Sequence, residues 1–559
     1  MVHLLKCVAN LGSLALSTAA SLNLRQSTIP SVDLGYEIHT ATTNTSGDYY
    51  IFSNIPYAQQ PVDSLRFQFP VAITGNDSTV NNGSTTPICI QGAPLWSIEQ
   101  AAAQDGLPVE VVEQFLWNEA GQTEACLVLD VYVPESTFNN NSSSKSRLLP
   151  KYNNGSKDLA APVLVYIHGG GFTVGSKDSN PAGLIARSQL NDGEGIVFVA
   201  INYRLGLYGW LGGAEGTIPN LGLHDQMMAL HWIQKYIPLF GGDPEQVTVM
   251  GESARGSSIV FHLTSYGGDT QLPFNKAITQ SPAFQFNLNM TKGYEITMKV
   301  ASNVTGTSIS SVAELSALDA ETLKTINQQS NLEASWGNVM FGPAPDGTYV
   351  PKLPQTLLAE GAFNKDIELL IGHNSAEAVT FVDPNISTDA ELVASLEIQF
   401  PEINNDTLTY ILDILYPAAN YSSSFLRAVQ IETDSSFACI TRYLALAEGN
   451  NTYNYLFAVS PGYHAEDSQY TFYNGDFSTP DNGVPVDVAI AYALQNSIVG
   501  FTQVGNPNKD QVALGIEFPV YGKDAQVLGF TDTGLVVEKD DMDNARCEWW
   551  QRVMIEGLV

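Results

Sequence analysis

Ser253 is the residue whose setting in this sequence points most directly to covalent chemistry. It stands in "VMGESARGSSI", residues 249–259, between an apolar run and a segment of helical character. The pattern G-x-S-x-G is typical of a tight strand-to-helix turn that exposes a serine nucleophile, but Arg255 replaces its second glycine. We expect Arg255 to lie in the first helical turn, with its side chain running toward solvent or paired with a nearby carboxylate. Ser253 is therefore interpreted as a working nucleophile.

Two further residues supply the base and the acid that a serine nucleophile needs. Where the serine occupies such a turn, the chain order is serine, then Asp or Glu, then histidine. Glu377 in "IELLIGHNSAEAVTF" and His464 in "TYNYLFAVSPGYHAED" each follow a strand-like run, in that order. The competing histidines lie in a glycine loop (His168), on helix-like stretches (His224, His231 and His262) or beside Glu377 (His373). The sequence thus predicts a triad of Ser253, Glu377 and His464.

Acyl transfer also needs hydrogen-bond donors for the negative charge that develops on the carbonyl oxygen. The stretch "HGGGF", residues 168–172, closes an apolar run with three glycines. The amide groups of glycines can approach a substrate closely because no side chain intervenes. We expect the backbone amides of Gly170, Gly171 and Ala254 to form the oxyanion hole. This chemistry calls for no metal and no cofactor, and we predict neither.

The elements that must hold these residues alternate between strand-like and helix-like patterns. Apolar runs that end in turns predict buried strands, among them "APVLVYI", "IVFVAI", "EQVTVM", "KAITQ", "IELLIG" and "YNYLFAV". The segments "HDQMMALHWIQKYI" and "SSIVFHLTS" predict helices. The alternation predicts the α/β class, with a large, mostly parallel central sheet flanked by helices. In such sheets the functional site forms at the carboxyl ends of the strands, where the candidate residues lie.

A set of motifs extends over about residues 48–552 and comprises "FSNIPYAQQPVDSLRF", "EACLVLDVYVP", "HGGGF", "NYRLGLYGWL", "NLGLHDQ", "FGGDPEQVTVMGESARG", "GHNSAEA", "GYHAED" and "VGNPN". In this order the motifs resemble those of type-B carboxylesterases and lipases, the family of the cholinesterases and of secreted fungal lipases. The resemblance implies the α/β-hydrolase fold, ester hydrolysis without metal or cofactor, and a Ser-Glu-His triad. The sequence departs from the family pattern at Ala125, Ala378 and Arg255, and Arg255 matters most because the turn is tight.

Four of the five cysteines, Cys89, Cys126, Cys439 and Cys547, remain if Cys7 is removed with a leader. Four cysteines allow three disulfide connectivities, and their spacing does not choose among them. The family resemblance implies the pairs Cys89–Cys126 and Cys439–Cys547, the first closing a gorge or lid loop. That loop is interpreted as a mobile lid or as a rim packed on the core. Trp117 within it either packs or binds a cationic group, as in cholinesterases.

The N-terminal stretch "MVHLLKCVANLGSLALSTAA" predicts a secretory signal peptide over residues 1–20, followed by a single α/β-hydrolase catalytic domain over 21–559. Sequons for N-glycosylation also indicate a secreted protein. They lie at Asn44, Asn76, Asn82, Asn140, Asn141, Asn154, Asn289, Asn303, Asn385, Asn405, Asn420 and Asn450. A formal charge of −33 argues against nucleic acid as a partner. We expect no stable membrane insertion, and the oligomeric state is left open.

These observations predict a secreted serine hydrolase that acts on small carboxylic esters through an acyl-enzyme. Two alternatives use the same scaffold. The acyl-enzyme can pass its acyl group to an alcohol, as in an acyltransferase or lactonising enzyme of secondary metabolism. Alternatively, the protein binds a partner without catalysis, an interpretation that Arg255 favours and the complete triad opposes. Product analysis in the presence of an added alcohol separates hydrolysis from transfer.

Overall fold

The computed structural model describes residues 29–43, 48–142, 160–190, 193, 195–285, 289–475, 486–509 and 515–557. The predicted signal peptide, residues 1–20, lies outside these ranges, as do the sequons at Asn44 and Asn154. The division into a leader and one catalytic domain therefore stays a prediction.

The strands of the described chain form one large and one small sheet. In chain order they are β1 (Ser31–Asp33), β2 (Ile38–Thr40), β3 (Thr42–Thr43), β4 (Tyr49–Pro56), β5 (Val80–Asn81), β6 (Val128–Pro134), β7 (Ala161–Ile167), β8 (Val197–Ile201), β9 (Gly242–Glu252), β10 (Lys276–Gln280), β11 (Glu368–Asn374), β12 (Tyr453–Ala458), β13 (Gln526–Thr531) and β14 (Gly534–Lys539). The large sheet has 11 strands in the order β14-β13-β12-β11-β10-β9-β7-β8-β6-β4-β3, and the small one has the order β1-β2-β5.

The α-helices follow the strands along the chain. They are α1 (Leu95–Asp105), α2 (Val109–Trp117), α3 (Glu135–Ser142), α4 (Ala182–Ser188), α5 (Gly206–Trp210), α6 (Leu221–Tyr236), α7 (Ala254–Leu263), α8 (Met290–Thr305), α9 (Val312–Ser316), α10 (Ala320–Leu332), α11 (Pro354–Glu360), α12 (Asp389–Gln399), α13 (Asn405–Tyr410), α14 (Ser424–Glu432), α15 (Cys439–Ala447), α16 (Glu466–Thr471), α17 (Val488–Val504) and α18 (Ala545–Glu556). A π-helical turn, Thr433–Ala438, joins α14 to α15.

The centre of the large sheet is parallel and its two margins are antiparallel. Strands β8, β7, β9, β10, β11, β12 and β13 pair in parallel with their neighbours. The outer strand pairs, β13 with β14 and those among β8, β6, β4 and β3, are antiparallel. This arrangement confirms the mostly parallel sheet predicted from the sequence.

The central strands β7 and β8 are apolar throughout because both faces of the sheet are covered. On β7, Val165 and Ile167 belong to a core cluster that includes side chains of α6 and α7. The intervening residues Leu164 and Tyr166 belong to a second cluster that includes side chains of α4 and α17. Helices therefore flank the sheet on both sides.

The parallel strands bring four chain segments to the carboxyl-end edge of the sheet. The glycine loop, residues 168–172, follows β7, and Ser253 lies between β9 and α7. Glu377 comes shortly after β11, and His464 lies in the segment between β12 and α16. Because these strands are neighbours or near neighbours in the sheet, residues far apart in sequence meet there.

The loop implied as a gorge or lid contains the two helices α1 and α2. Helix α1 buries Trp96 and Ile98, whereas α2 exposes Val111 and Phe115. The first helix thus packs as a rim, and the second leaves part of its apolar surface uncovered. The disulfide Cys89–Cys126 closes this loop.

The second disulfide implied by the resemblance is also present. Cys439–Cys547 joins the first residue of α15 to α18 across 108 residues of sequence. Within the described ranges, none of the helices has both the length and the apolar character that crossing a bilayer requires.

Candidate active site

Ser253 occupies a strained turn between β9 and α7. Its backbone has φ 61° and ψ −128°, a conformation that costs a residue other than glycine about 1–3 kcal/mol and persists only where the surroundings enforce it. Two hydrogen bonds do so here. The Ser253 amide donates to the Gln280 carbonyl oxygen at 2.9 Å, and the Ser257 amide donates to the Ser253 carbonyl oxygen at 3.0 Å. The serine is therefore held at the N-terminus of α7.

Arg255 lies in the first turn of α7, as expected, but its side chain does not run toward solvent. The side chain is 15% exposed, and Nη1 lies 3.8 Å from Glu252 Oε2. Nη1 also donates a hydrogen bond to the Tyr166 hydroxyl. The side chain passes Gly169, where a Cβ would lie only 2.7 Å from Arg255 Nε. Of the two expected directions, toward solvent or toward a carboxylate, the structure shows the second, toward Glu252. The absence of a side chain at Gly169 leaves space for the guanidinium.

Glu377 and His464 meet directly. His464 Nδ1 donates to Glu377 Oε2 at 2.6 Å, and the other carboxylate oxygen, Oε1, accepts from the Asn374 amide at 2.6 Å. Glu377 is fully buried. The two loops that carry these residues are joined by the Ala376 amide, which donates to the Gly462 carbonyl oxygen at 2.8 Å. Glu377 therefore holds Nδ1 of His464 and leaves Nε2 free of this carboxylate.

Nε2 of His464 faces β9. Glu252 Oε1 lies 3.2 Å from Nε2, and Ser253 is the next residue in the chain. Among the described residues, neither Nε2 nor Glu252 Oε1 has a hydrogen-bond partner of good geometry, and the structure gives Ser253 Oγ no hydrogen bond to His464. Catalytic hydrogen bonds are often long in a substrate-free enzyme and shorten when the substrate binds.

Charge and burial act in opposite directions on His464. Burial alone would lower the pKa of the imidazole, but the carboxylates of Glu252, Glu377 and Asp467 together raise it above its usual value. Asp467 is itself buried, and burial, reinforced by the charge of Glu252, raises its pKa to about 7. Burial lowers the pKa of His168, in the glycine loop, to about 3, so that ring is neutral. The site thus favours a protonated His464 more than an isolated histidine would.

The glycine loop presents backbone amides without partners. In the described part of the chain, the amides of Gly170, Gly171 and Ala254 donate to no protein acceptor. Gly170 has φ 107°, and a Cβ there would lie 2.3 Å from the Val174 carbonyl oxygen. Glycine is therefore required at this position, and the three amides are unpartnered donors of the kind that can bind an oxyanion.

Aromatic rings form one wall beside the histidine. The rings of Phe381 and Phe437 lie 5.1 Å and 4.9 Å from the His464 ring, measured between centroids. Phe381 in turn lies 5.8 Å from Trp96 of α1, which neighbours Trp336 at 6.2 Å. Trp117, the tryptophan considered from the sequence, ends α2 and shares no ring contact with this wall in the described structure. The wall therefore connects the disulfide-closed loop to His464 through Trp96.

Sequence reasoning missed Glu252 and Asp467 as neighbours of His464. Both stand in motifs that it did use, directly before Ser253 and three residues after His464. The sequence signal that could have identified them is their position inside "GES" and "HAED", the motifs that carry Ser253 and His464. Their approach to the ring, however, depends on how β9, β11 and β12 align in the sheet.

One group of described residues has the atom types and spacing that could hold a metal ion. The ligand atoms of His373, Asp540 and Asp541 lie within 4.8 Å of one another. His373 Nε2 already lies 3.4 Å from Asp541 Oδ1, and Asp540 accepts from the Tyr521 hydroxyl at 2.8 Å. These partners account for the group as an ion pair between the buried His373 and the exposed Asp541.

Comparison with known proteins agrees with this geometry. The family described as "Carboxylesterase family" matches residues 34–550. The chain is 37% identical to Carboxylesterase patB of Aspergillus clavatus, over 96% of this chain and 97% of that protein. It is 30% identical to Lipase 2 of Geotrichum candidum, over 72% and 73% of the two chains. The crystal structure of Aspergillus niger EstA superposes with a TM-score of 0.77 at 23% identity, covering 95% of this chain and 99% of that chain. The chain therefore belongs to the carboxylesterase family, has the α/β-hydrolase fold, and is a carboxylic-ester hydrolase.

Proposed function

We propose that the protein is a serine carboxylesterase in which Ser253 is the nucleophile and His464, oriented by Glu377, is the general base. The observation that carries this proposal is the buried contact of 2.6 Å between His464 Nδ1 and Glu377 Oε2. It lies at the edge of the sheet where the strained turn presents Ser253. A buried carboxylate that fixes one nitrogen of a histidine leaves the other nitrogen available for proton transfer.

The reaction starts when His464 Nε2 takes the proton of Ser253 and Oγ attacks the ester carbonyl carbon. The amides of Gly170, Gly171 and Ala254 then stabilise the oxyanion, and the loss of one such donor costs about 3–4 kcal/mol of transition-state stabilisation. His464 returns the proton to the departing alcohol, which leaves an acyl-enzyme on Ser253. A water molecule, deprotonated by His464, cleaves the acyl-enzyme by the same route.

The substrate belongs to the small carboxylic esters on which this family acts. The aromatic wall of Phe381 and Phe437 gives the surface beside His464 an apolar character that suits a hydrocarbon or aromatic group. A formal charge of −33 disfavours nucleic acid as a partner. The aromatic wall therefore supports a small-molecule ester with an apolar acyl or alcohol group.

We extend the proposal to secretion. The disulfides, the predicted signal peptide over residues 1–20 and the sequons support an extracellular protein. Seven sequon asparagines are exposed, namely Asn76, Asn82, Asn289, Asn303, Asn385, Asn405 and Asn420, whereas Asn450 is half-buried. Asn140 and Asn141 lie in α3.

The experiment is hydrolysis of p-nitrophenyl esters, from acetate to laurate, by the secreted and purified protein. Ser253→Ala should abolish turnover, and Ser176→Ala, a half-exposed serine that follows the glycine loop, is the matched control. A fluorophosphonate probe should label the wild type on the peptide that contains Ser253. Labelling elsewhere, or full activity of Ser253→Ala, would overturn the assignment.

Addition of an alcohol to the same assay addresses acyl transfer. Hydrolysis predicts that the free acid remains the main product, whereas a transferase converts the acyl-enzyme mainly into the new ester. An inert wild type that gains activity with Arg255→Gly would instead favour the binding-protein alternative.

A further inference from the structure

Arg255 places a positive charge behind the nucleophile turn. Its Cζ lies 4.8 Å from the centroid of the Tyr166 ring, and Nη1 donates to the hydroxyl of the same residue. Tyr166 belongs to the core cluster on the face of the sheet opposite α7. The side chain therefore crosses the carboxyl-end edge of the sheet, and its route depends on the absence of a side chain at Gly169.

The guanidinium and His464 share one carboxylate. Glu252 Oε2 lies 3.8 Å from Arg255 Nη1, and Glu252 Oε1 lies 3.2 Å from His464 Nε2. The side chain of Glu252 is 5% exposed, so water screens these interactions little. A change in the contact between Arg255 and Oε2 consequently alters how strongly Oε1 attracts a proton on His464 Nε2.

Nε2 is the nitrogen that must accept the proton of Ser253. When Nδ1 carries a hydrogen for Glu377, neutral Nε2 has a lone pair and cannot bond to a carboxylate oxygen. Glu252 Oε1 binds Nε2 only when the ring is protonated, and that state cannot act as a base. Glu252 therefore competes with Ser253 for Nε2 as the pH falls.

The groups that face His464 come from three elements. Glu252 approaches from β9, Glu377 from the segment after β11, and Asp467 from α16, and all three carboxyls favour the protonated ring. On the far side of Glu252 stand the guanidinium of Arg255 and the neutral hydroxyl of Tyr166. Arg255 supplies the positive charge that opposes these three carboxyls in the described structure, because His168 is neutral.

We propose that Arg255 is a positioning residue that acts through Glu252. Its guanidinium, with Nη1 3.8 Å from Glu252 Oε2, draws the charge of Glu252 toward Oε2 and weakens the attraction of Oε1 for Nε2, so that Nε2 stays available to Ser253. The absence of a well-formed hydrogen bond between Glu252 Oε1 and Nε2, at a separation of only 3.2 Å, is the arrangement that this role requires. The inference rests on the proposed function, since it assigns a consequence to the proton affinity of His464.

The test follows His464 directly, in the full secreted chain labelled with ¹³C-histidine. The sequence has eight histidines, of which His3 lies in the predicted leader, and His464→Asn identifies the signal. The ring is titrated in the wild type, Arg255→Met, Glu252→Gln and the double variant. Arg255→Met should raise the pKa of His464 by up to about one unit, because the carboxylate of Glu252, no longer opposed by the guanidinium, then favours the protonated ring more strongly. Glu252→Gln should lower it, and the double variant should match Glu252→Gln.

The pH profile of kcat/KM gives the second readout. Its acid limb should move with the pKa of His464, upward in Arg255→Met and downward in Glu252→Gln. Arg255→Lys should restore much of the wild-type profile because it returns the positive charge. If Arg255 only strains the turn, Arg255→Gly and Arg255→Met change the rate without moving the limb.

Three results would overturn the proposal. One is an unchanged titration of His464 in Arg255→Met. Another concerns the pKa of His464 in the double variant. If it differs from that of Glu252→Gln by as much as Arg255→Met differs from the wild type, the coupling does not run through Glu252, since such coupling must vanish with the charge of Glu252. The third is loss of the folded state in every Arg255 variant including Arg255→Lys, which indicates a structural role. Failure of the proposed function shows itself separately, as absent ester turnover in the wild type with the titration shifts intact.

Discussion

His464 is the residue on which burial and charge act most strongly in this site. Its pKa is raised because the neighbouring carboxylates outweigh burial, whereas only the neutral ring can take the proton of Ser253. We therefore expect kcat/KM to fall as the pH drops through this raised pKa, starting above the usual histidine value of about 6.5. A rate that stays flat down to pH 4 would contradict the role of His464.

Glu377→Gln separates the effect of the Glu377 charge on the pKa of His464 from the effect of its hydrogen bond to Nδ1. Loss of the anion removes one contribution that raises the pKa of His464, so the acid limb should move to lower pH. The glutamine oxygen is needed by the Asn374 amide, so its NH2 group faces Nδ1 and favours the wrong tautomer of the ring, and the plateau of kcat should fall by about 10²–10⁴-fold. The measurement is the full pH profile, with thermal unfolding as a control for the fold. A lower plateau with an unmoved limb would indicate that Glu377 acts by orientation alone.

Gly170→Ala tests the oxyanion hole. The added Cβ would meet the Val174 carbonyl oxygen at 2.3 Å, so the loop must shift and its amides leave their positions. We expect kcat to fall by about 10²–10³-fold, the loss measured for a single oxyanion donor. Gly347→Ala is the matched control, since Gly347 has φ +74° and no atom within 4 Å of a Cβ. Equal kinetic effects of the two variants would show that backbone strain alone is responsible.

At the scale of elements, the strands are more predictable from sequence than the paths of individual side chains. The runs at 161–167 and 197–201 are apolar because strands covered on both faces exclude polar residues. The turn residues that follow these strands are also predictable, because the carboxyl ends of parallel strands lie at one edge of the sheet. The direction of the Arg255 side chain is not predictable from the sequence. A helical pattern gives the position of its Cα, but the side chain follows the space beside Gly169, which belongs to a distant segment. The approach of Glu252 to His464 likewise depends on sheet alignment.

The disulfides differ in the length of chain that they close, and this difference gives a stability prediction. Cys439–Cys547 spans 108 residues and Cys89–Cys126 spans 37. On the chain-entropy model the longer loop stabilises by about 5 kcal/mol and the shorter by about 4 kcal/mol. Replacing both cysteines of a pair by alanine should therefore lower the free energy of unfolding more for Cys439–Cys547. Urea unfolding of the two double variants measures this, and the reverse order would contradict it.

At the scale of the whole molecule, the charge of −33 and the sequons concern the environment of the protein rather than its chemistry. A strongly acidic surface keeps molecules apart and maintains solubility. The site itself is a buried cluster in which Arg255 faces Glu252. Surface charge and catalytic charge are therefore separable, and changes at exposed acidic residues should leave the pKa of His464 unmoved.

Secretion predicts how the chain is processed and glycosylated. The full chain expressed in a yeast host should appear in the medium with residues 1–20 removed, as N-terminal sequencing would show. Endoglycosidase treatment followed by peptide mass spectrometry should find glycans at exposed asparagines such as Asn303 and Asn405. Asn450 should carry less, because it is half-buried with φ 64° and its Oδ1 is enclosed. Retention in the cell with the leader attached would place the protein in another compartment, and the disulfides would then need an oxidising environment other than the secretory pathway.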